Sequence, residues 1–342
     1  MTIFHRLALL LVTTSFLSVS SVYAEKYKYN DAHLHYVNFS QQSQGIEPLI
    51  EAMDSASIEH SVISGLPVIK KWADDQPGKP DTAFSDDANV YWYSLTDEII
   101  ARAVLSLPES QQRRLHPFIC GFNPTDKNAA EHVARMLEWY PGFWQGIGEV
   151  ITRHDDLTAL TYGETARANH PALMRVYKLA AKHDLPVLLH SNITSMSADD
   201  PVYLSELEDA LKQNPDTRFI WAHAGTSKTI NLRNKPEFLA KELERLLSAY
   251  ANLWIDLSWT VMDDHIQPRG KVSPRWLSLI ENHADRFMLG SDVTGSFKRV
   301  NEKMQDFIPL LEQLQPEDAR RVAKENFLTI LPKTNSAKVH HK

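Results

Sequence analysis

The sequence alternates short apolar segments, rich in β-branched and aromatic residues, with amphipathic segments of helical spacing. Eight apolar segments are predicted strands, at residues 29–35, 60–65, 116–121, 146–150, 186–190, 219–223, 253–258 and 287–291. A strand followed by a helix, repeated eight times, predicts a parallel (β/α)8 TIM barrel of the α/β class. The alternative, an open doubly wound sheet, is disfavoured because no glycine-rich phosphate loop follows the first strand.

The 342-residue chain is long enough for one such barrel, and 43% hydrophobic residues suffice for its core. Residues 1–24 resemble a secretory signal peptide, with an early arginine, an apolar run and a small-residue ending at Ala24. We therefore expect a signal peptide at 1–24, a barrel domain at 25–332 and a flexible tail at 333–342. The expected product is a secreted protein, with the periplasm as its compartment.

The composition excludes several function classes. The formal net charge is −7 at pH 7, and it becomes −8 when the signal segment with Arg6 is removed. No basic patch indicates nucleic-acid binding, and no later apolar run is long enough to span a membrane. Cys120 is the single cysteine, so no intrachain disulfide can form. A small-molecule substrate is the expected partner, and nothing in the sequence specifies an oligomeric state.

Histidine or carboxylate side chains stand at the carboxyl ends of five of the eight predicted strands. They are His33 and His35 on the first strand, Glu149 on the fourth, His190 on the fifth, His223 on the sixth and Asp292 on the eighth. Barrel active sites lie at this end of the strands, so the sequence predicts that these six side chains share one site. A single buried histidine is commonly a structural residue of the core. Six histidine or acidic residues at the carboxyl ends of the strands instead indicate a functional site.

The stretch "DAHLHY" places two histidines two positions apart. Side chains alternate between the faces of a strand, so His33 and His35 project the same way if this segment is extended. Two neutral imidazoles side by side can share one metal ion.

Together, "DAHLHY", "IGEV", "LLHSN", "WAHAG", "LGSD" and "ENFLTIL" resemble the metal-dependent amidohydrolase superfamily, and within it the branch related to aminocarboxymuconate-semialdehyde decarboxylase. The resemblance covers nearly the whole mature chain. It implies that His33, His35, His190 and Asp292 are metal ligands. It also implies that His223 either binds a second metal or acts as an acid or base beside the first.

Glu149 separates the subgroups of this superfamily. In some binuclear hydrolases a carboxylate on the fourth strand bridges two metals, whereas the decarboxylase branch generally uses one metal and no such acid. "GIGEV" is similar to the bridging kind. The alternative is that Glu149 is a charged residue at a strand end that pairs with Arg153.

The implied ligand set accounts for hydrolytic chemistry. A divalent ion lowers the pKa of bound water from about 15.7 to about 7, which yields a nucleophile at neutral pH. Asp292 is the candidate catalytic base that takes a proton from this water and passes it to the leaving group. His223 is a candidate catalytic group that polarises the carbonyl. The nitrogen-rich ligands and the exported location favour zinc, as one or two ions.

Several residues just beyond the strand ends are candidates for substrate binding, namely Arg153, His154, Asn192, Lys228 and Trp259. Cationic groups there can hold a carboxylate, and an aromatic side chain can cover an apolar ring. The segments 70–95 and 259–274 are long and irregular, so we interpret them as loops over the barrel mouth.

Three functions remain open at this point. The first is a metal-dependent hydrolase that cleaves an amide, lactone or ester bond of a small molecule. The second is a mononuclear-metal decarboxylase of an unsaturated or aromatic carboxylic acid. The third is a barrel that binds a metal or ligand without turnover.

Overall fold

The computed structural model describes residues 27–70 and 90–333. The predicted signal peptide at 1–24, most of the loop at 70–95 and nearly all of the tail at 333–342 lie outside the described residues.

The described residues contain ten strands, of which eight form one parallel sheet. The strands are β1 (Tyr29–Asp31), β2 (Ile58–Ser64), β3 (Val68–Lys70), β4 (Val90–Trp92), β5 (Leu115–Ile119), β6 (Gly146–Thr152), β7 (Val187–Ser191), β8 (Phe219–Trp221), β9 (Leu253–Asp256) and β10 (Phe287–Met288). The sheet order is β1-β2-β5-β6-β7-β8-β9-β10, so each strand pairs with the next barrel strand along the chain. All eight predicted strands are present, and the predicted TIM barrel is confirmed.

Backbone hydrogen bonds between the ends of the sheet bring it close to a closed barrel. The amide of Ala32, just after β1, donates to Leu289 O at 2.8 Å, and that of Asp292 donates to His33 O at 2.8 Å. His35 N donates to Val293 O at 2.9 Å. The segments that follow β1 and β10 therefore lie side by side. This brings His33 and His35 close to Asp292.

The short strands β3 and β4 form a separate antiparallel hairpin, in which Val68 pairs with Trp92. Strand β3 leads into the segment 70–95 that we predicted to be an irregular loop over the barrel mouth, and β4 lies within it. The sequence prediction missed this hairpin because three-residue strands carry too little periodicity.

Thirteen α-helices connect or flank the strands in the described ranges. They are α1 (Ile46–Ser55), α2 (Thr96–Leu105), α3 (Glu109–Gln112), α4 (Ala129–Trp139), α5 (Pro171–Lys182), α6 (Leu204–Gln213), α7 (Lys228–Arg233), α8 (Leu239–Ala249), α9 (Pro274–Asn282), α10 (Val300–Gln305), α11 (Ile308–Leu311), α12 (Pro316–Arg320) and α13 (Asn326–Ile330). In α8, Leu239, Leu243, Leu246 and Leu247 are buried at spacings of three and four, which is one helix face against the sheet. None of the helices in the described ranges has the length and apolar character of a membrane span.

The barrel has two hydrophobic layers. The larger packs the helices against the outside of the strands, and a smaller cluster that includes Phe118, Leu188 and Ile220 is separate from it. Leu188 and His190 share one face of β7, since side chains alternate along a strand. The guanidinium of Arg218, which precedes β8, donates to Ile330 O of α13 at 3.1 Å, so α13 lies at the amino ends of the strands. The opposite, carboxyl end is left for polar side chains.

Candidate metal centre

The structure brings all six predicted strand-end residues into one cluster. His33 and His35 follow β1, Glu149 is in β6, and His190 is in β7. The other two, His223 and Asp292, follow β8 and β10, where each has a positive φ, 54° and 48° respectively. The side chain of His33 is fully buried and that of Asp292 is 12% exposed. The cluster is therefore nearly sealed, with Asp292 as its most accessible member.

The first half of the cluster is built on the two histidines of "DAHLHY". His33 Nε2 and His35 Nε2 lie 3.1 Å apart. Glu149 Oε2 lies 3.4 Å from His35 Nε2, and Asp292 Oδ1 lies at the same distance from it. His33, His35 and Glu149 are a candidate ligand set for one ion, and Asp292 lies close enough to His35 to join them.

The second half uses the other oxygen of the same carboxylate. Glu149 Oε1 lies 3.2 Å from His190 Nδ1 and 3.5 Å from His223 Nε2. Asp292 Oδ2 lies 3.9 Å from His223 Nε2. Glu149 therefore stands between two histidine pairs and presents one oxygen to each pair. The suggested pairing of Glu149 with Arg153 does not occur, because Arg153 forms an ion pair with Glu206.

Outer hydrogen bonds orient the first histidine pair. His33 Nδ1 lies 2.7 Å from Asp256 Oδ2, and His35 Nδ1 lies 2.8 Å from Gly65 O. Both partners are acceptors, so we assign the ring proton of each histidine to Nδ1. The unprotonated Nε2 atoms then face each other and the carboxylates.

The second pair is oriented through intermediate side chains. His190 Nε2 lies 3.0 Å from Asn192 Oδ1, which accepts a hydrogen bond from it. His223 Nδ1 lies 2.7 Å from Ser258 Oγ, and Ser258 Oγ donates to Asp256 Oδ2 at 2.7 Å. The unprotonated nitrogens of both rings therefore point at Glu149.

This arrangement fits a metal centre. With the tautomers assigned above, four ring nitrogens and two carboxylates converge as acceptors, and such a buried site is stabilised when positive charge, from metal ions or added protons, lies among them. Outer partners that hold the second ring nitrogen are the normal environment of metal-binding histidine. The cluster's charges favour positive charge here: burial lowers the pKa of His35, but Asp292 and Glu149 outweigh it and raise that pKa to about 9. Burial likewise raises the pKa of Glu149, but His33 and its neighbours hold it well below its usual value.

The sequence analysis missed Asp256 and Ser258. Asp256 is fully buried at the end of β9 and lies near His33 and His223, but it faces their outward Nδ1 atoms. A signal for it exists in the sequence, because "LWIDLSW" places an acid at the end of an apolar strand. Its position relative to His33, 223 residues away, depends on strand register and cannot be read locally.

Of the five substrate-binding candidates, one is paired elsewhere and one is exposed to solvent. The guanidinium of Arg153 pairs with Glu206 and lies 4.1 Å from the centroid of the Tyr203 ring. Lys228 is exposed at the start of α7. Asn192 contacts His190 and supports the centre rather than lining an open surface.

The other two candidates, His154 and Trp259, form an aromatic wall beside the centre. The His154 ring stacks on His190 with centroids 4.5 Å apart and lies 6.1 Å from the Trp259 ring. Trp259 also meets His223 edge to face at 5.0 Å. Burial and the neighbouring His190 hold the pKa of His154 well below its usual value, so its imidazole is neutral at pH 7.

We expect Asp256→Asn to weaken metal binding about 10- to 100-fold, because it weakens the acceptor that fixes both His33 and Ser258. Dissociation constants from competition with a chromophoric chelator measure this effect. The matched control is Asp263→Asn, an exposed acid in the helical turn Met262–Ile266 after β9, which should bind metal as the wild type does. Equal affinity in Asp256→Asn and the control would show that Asp256 does not support the ligands.

Comparisons with known proteins identify the family. The family model described as Amidohydrolase matches residues 30–331. A search of curated proteins finds no match.

Solved structures of the same fold cover 89% of this chain. An uncharacterised TIM-barrel protein from Bordetella bronchiseptica has a TM-score of 0.55 at 14% identity, with 98% of its length covered. A probable 2-pyrone-4,6-dicarboxylic acid hydrolase from Acinetobacter baumannii, with citric acid bound, has a TM-score of 0.55 at 12% identity, with 99% covered. A 2,6-dihydroxybenzoate decarboxylase from Rhizobium has a TM-score of 0.51 at 15% identity, with 98% covered. The family match over 302 residues carries the assignment, and the chain belongs to the amidohydrolase family.

Proposed function

We propose that this protein is a metal-dependent hydrolase that cleaves an amide, lactone or ester bond of a small molecule. The observation that carries the proposal is the position of Glu149, whose two oxygens lie 3.4 Å from His35 Nε2 and 3.2 Å from His190 Nδ1. One carboxylate between two histidine pairs supports a bridged pair of ions, the arrangement associated with hydrolases in this superfamily.

The residues divide into two ligand sets that share Glu149. His33, His35 and Asp292 would hold one ion, and His190 and His223 the other. Bound divalent ions supply Lewis acidity and lower the pKa of a coordinated water to about 7. We propose zinc, since imidazole nitrogen and carboxylate oxygen are its usual ligands.

Asp292 is suited to move the proton. It is the most exposed carboxylate of the centre, with 12% of its side chain accessible, and it lies between His35 and His223. A carboxylate in this position can accept the proton of the attacking water and return it to the leaving group. His33 and His223, together with burial, set its charge: burial raises the pKa of Asp292, but the histidines hold it below its usual value, so it is ionised at pH 7.

The alternative reaction is decarboxylation of an unsaturated or aromatic acid. The Rhizobium decarboxylase has the same fold at 15% identity. This likeness supports the architecture and does not decide which bond is broken. Decarboxylation would use one ion and release carbon dioxide. A third possibility, a barrel without turnover, would bind metal and act on none of these substrates.

We also propose that the protein is exported and acts in the periplasm, on the basis of the signal-like residues 1–24. Expression of the full chain in a Gram-negative host, followed by N-terminal sequencing of the periplasmic fraction, tests this proposal. A mature chain beginning at Glu25 supports export. Full-length protein confined to the cytoplasm contradicts it.

The first test of the reaction is Glu149→Gln. We expect about two metal equivalents in the wild type and about one in the variant, because the amide cannot bridge two cations. Elemental analysis measures the ions, and a panel of lactones, esters, amides and aromatic acids measures turnover and carbon dioxide release. Glu164→Gln, at a 70% exposed side chain, is the matched control.

Each outcome of this test separates the three functions. Unchanged metal content and rate in Glu149→Gln would remove the bridged hydrolase. One equivalent in the wild type together with carbon dioxide release would establish the decarboxylase. Full metal loading with no turnover on any substrate would favour the non-catalytic barrel.

The second test is Asp292→Asn. We expect kcat to fall about 10²- to 10⁴-fold, because the amide cannot accept the proton that a carboxylate transfers. The amide oxygen can remain a ligand, so metal content should stay near the wild-type level. Steady-state kinetics on the best substrate, with Asp285→Asn as an exposed control, provide the measurement. A kcat within a few-fold of the wild type would assign proton transfer to another group.

A further inference from the structure

The four histidines of the centre differ in how their outward nitrogens are held. His33 and His35 contact a carboxylate and a backbone carbonyl directly. His190 and His223, which form the second pair, each contact a neutral side chain that is itself bound to a carboxylate. For His223 that carboxylate is Asp256, which also serves the first pair. For His190 it is a different residue, Asp155.

Asn192 connects His190 to Asp155. Asn192 Nδ2 donates to Asp155 Oδ2 at 2.9 Å, while Asn192 Oδ1 accepts from His190 Nε2 at 3.0 Å. The Asn192 side chain is buried, with 1% of the residue exposed. A carboxylate can only accept here, so Asp155 determines which end of the amide faces His190.

The orientation of this amide decides which nitrogen of His190 faces Glu149 without a proton. With Asn192 Oδ1 toward the ring, the proton stays on Nε2 and the lone pair of Nδ1 lies 3.2 Å from Glu149 Oε1. If the amide turned over, its N–H groups would face Nε2 and favour the tautomer with the proton on Nδ1. That tautomer cannot bind a metal through Nδ1.

Asp155 is also placed to hold three strand ends together. It belongs to the loop after β6, and through Asn192 it contacts the end of β7. Ser227, the residue that caps α7 after β8, directs its hydroxyl to Asp155 Oδ2 at 3.5 Å. His154, the residue before Asp155, stacks on the His190 ring. Two consecutive loop residues therefore restrain the His190 ring. His154 stacks on its face, and Asp155 acts on its Nε2 edge through Asn192.

We propose that Asp155 is a positioning residue that acts through Asn192 to fix the tautomer of His190 and so forms the second metal site. The inference rests on the proposed function, because it assigns His190 to the second of two ions. Asp155 acts on His190 through Asn192, separately from Asp256, which serves His33 and, through Ser258, His223.

The test compares metal binding in Asp155→Asn, Asn192→Leu and the double variant. Stepwise Zn²⁺ and Co²⁺ titrations against a chelator are made at pH 8, where Asp155, whose pKa burial and Asp156 raise to about 6, is ionised. The matched control is the neighbouring Asp156→Asn, because Asp156 faces Thr229 instead of Asn192.

We expect the affinity for the second ion to fall about 10- to 100-fold in Asp155→Asn, with the first ion and the thermal midpoint unchanged. The double variant should bind no more weakly than Asn192→Leu alone, because both changes break the same connection. Wild-type affinity for both ions in Asp155→Asn, or losses that add in the double variant, would overturn the inference.

A measurement on the metal-free protein separates this inference from the proposed function. Nitrogen-15 spectra of histidine-labelled protein report the tautomer of each ring. We expect His190 to be protonated at Nε2 in the wild type and to be a mixture of tautomers in Asp155→Asn. If the wild type binds one ion and this tautomer shift still appears, the two-ion function fails while the positioning role stands. An unchanged tautomer overturns the positioning role whatever the metal count.

Discussion

The structure depends on the convergence of four unprotonated ring nitrogens and two carboxylates in one buried site. Hydrogen-bond acceptors that face each other without a donor are unfavourable in a medium of low dielectric constant, so this cluster favours positive charge among its members. The contacts around it serve to keep the ring protons outside. Asp256 and Ser258 on one side, and Gly65 O and Asn192 on the other, each take the outward N–H of a ring.

The barrel provides this convergence because its strands end at one face, but strands alone do not aim the side chains. His223 and Asp292 have φ values of 54° and 48°, a backbone conformation that residues with a Cβ rarely adopt. Both lie just after short strands, where the chain turns across the mouth. The surrounding sheet offsets the strain at these two positions, and their backbone conformation brings the His223 imidazole toward Glu149 and the Asp292 carboxylate toward His35 and His223.

The fold and the six cluster residues could be predicted from sequence because their signals are local. Each is an apolar run that ends in histidine or an acid, such as "PVLLHSN" for His190. The outer contacts could not be predicted in this way. The His33 to Asp256 contact joins residues 223 positions apart, and Arg153 meets Glu206 across 53 positions. The sequence therefore made Arg153 a candidate to bind substrate. In the structure its charge is neutralised by Glu206 of α6.

The two oxygens of Glu149 bear on the number of ions. With a single ion between His33 and His35, the lone pairs of His190 and His223 would still face Glu149 Oε1 at 3.2 and 3.5 Å with no positive charge between them. Protonation of one of these rings would also relieve the repulsion, because its inward N–H would then donate to Glu149 while its outward N–H still donates to Asn192 or Ser258. An added proton would create a buried imidazolium where a divalent ion would be held by both rings and the carboxylate. The inward geometry of the second pair is therefore compatible with the two-ion arrangement that we propose.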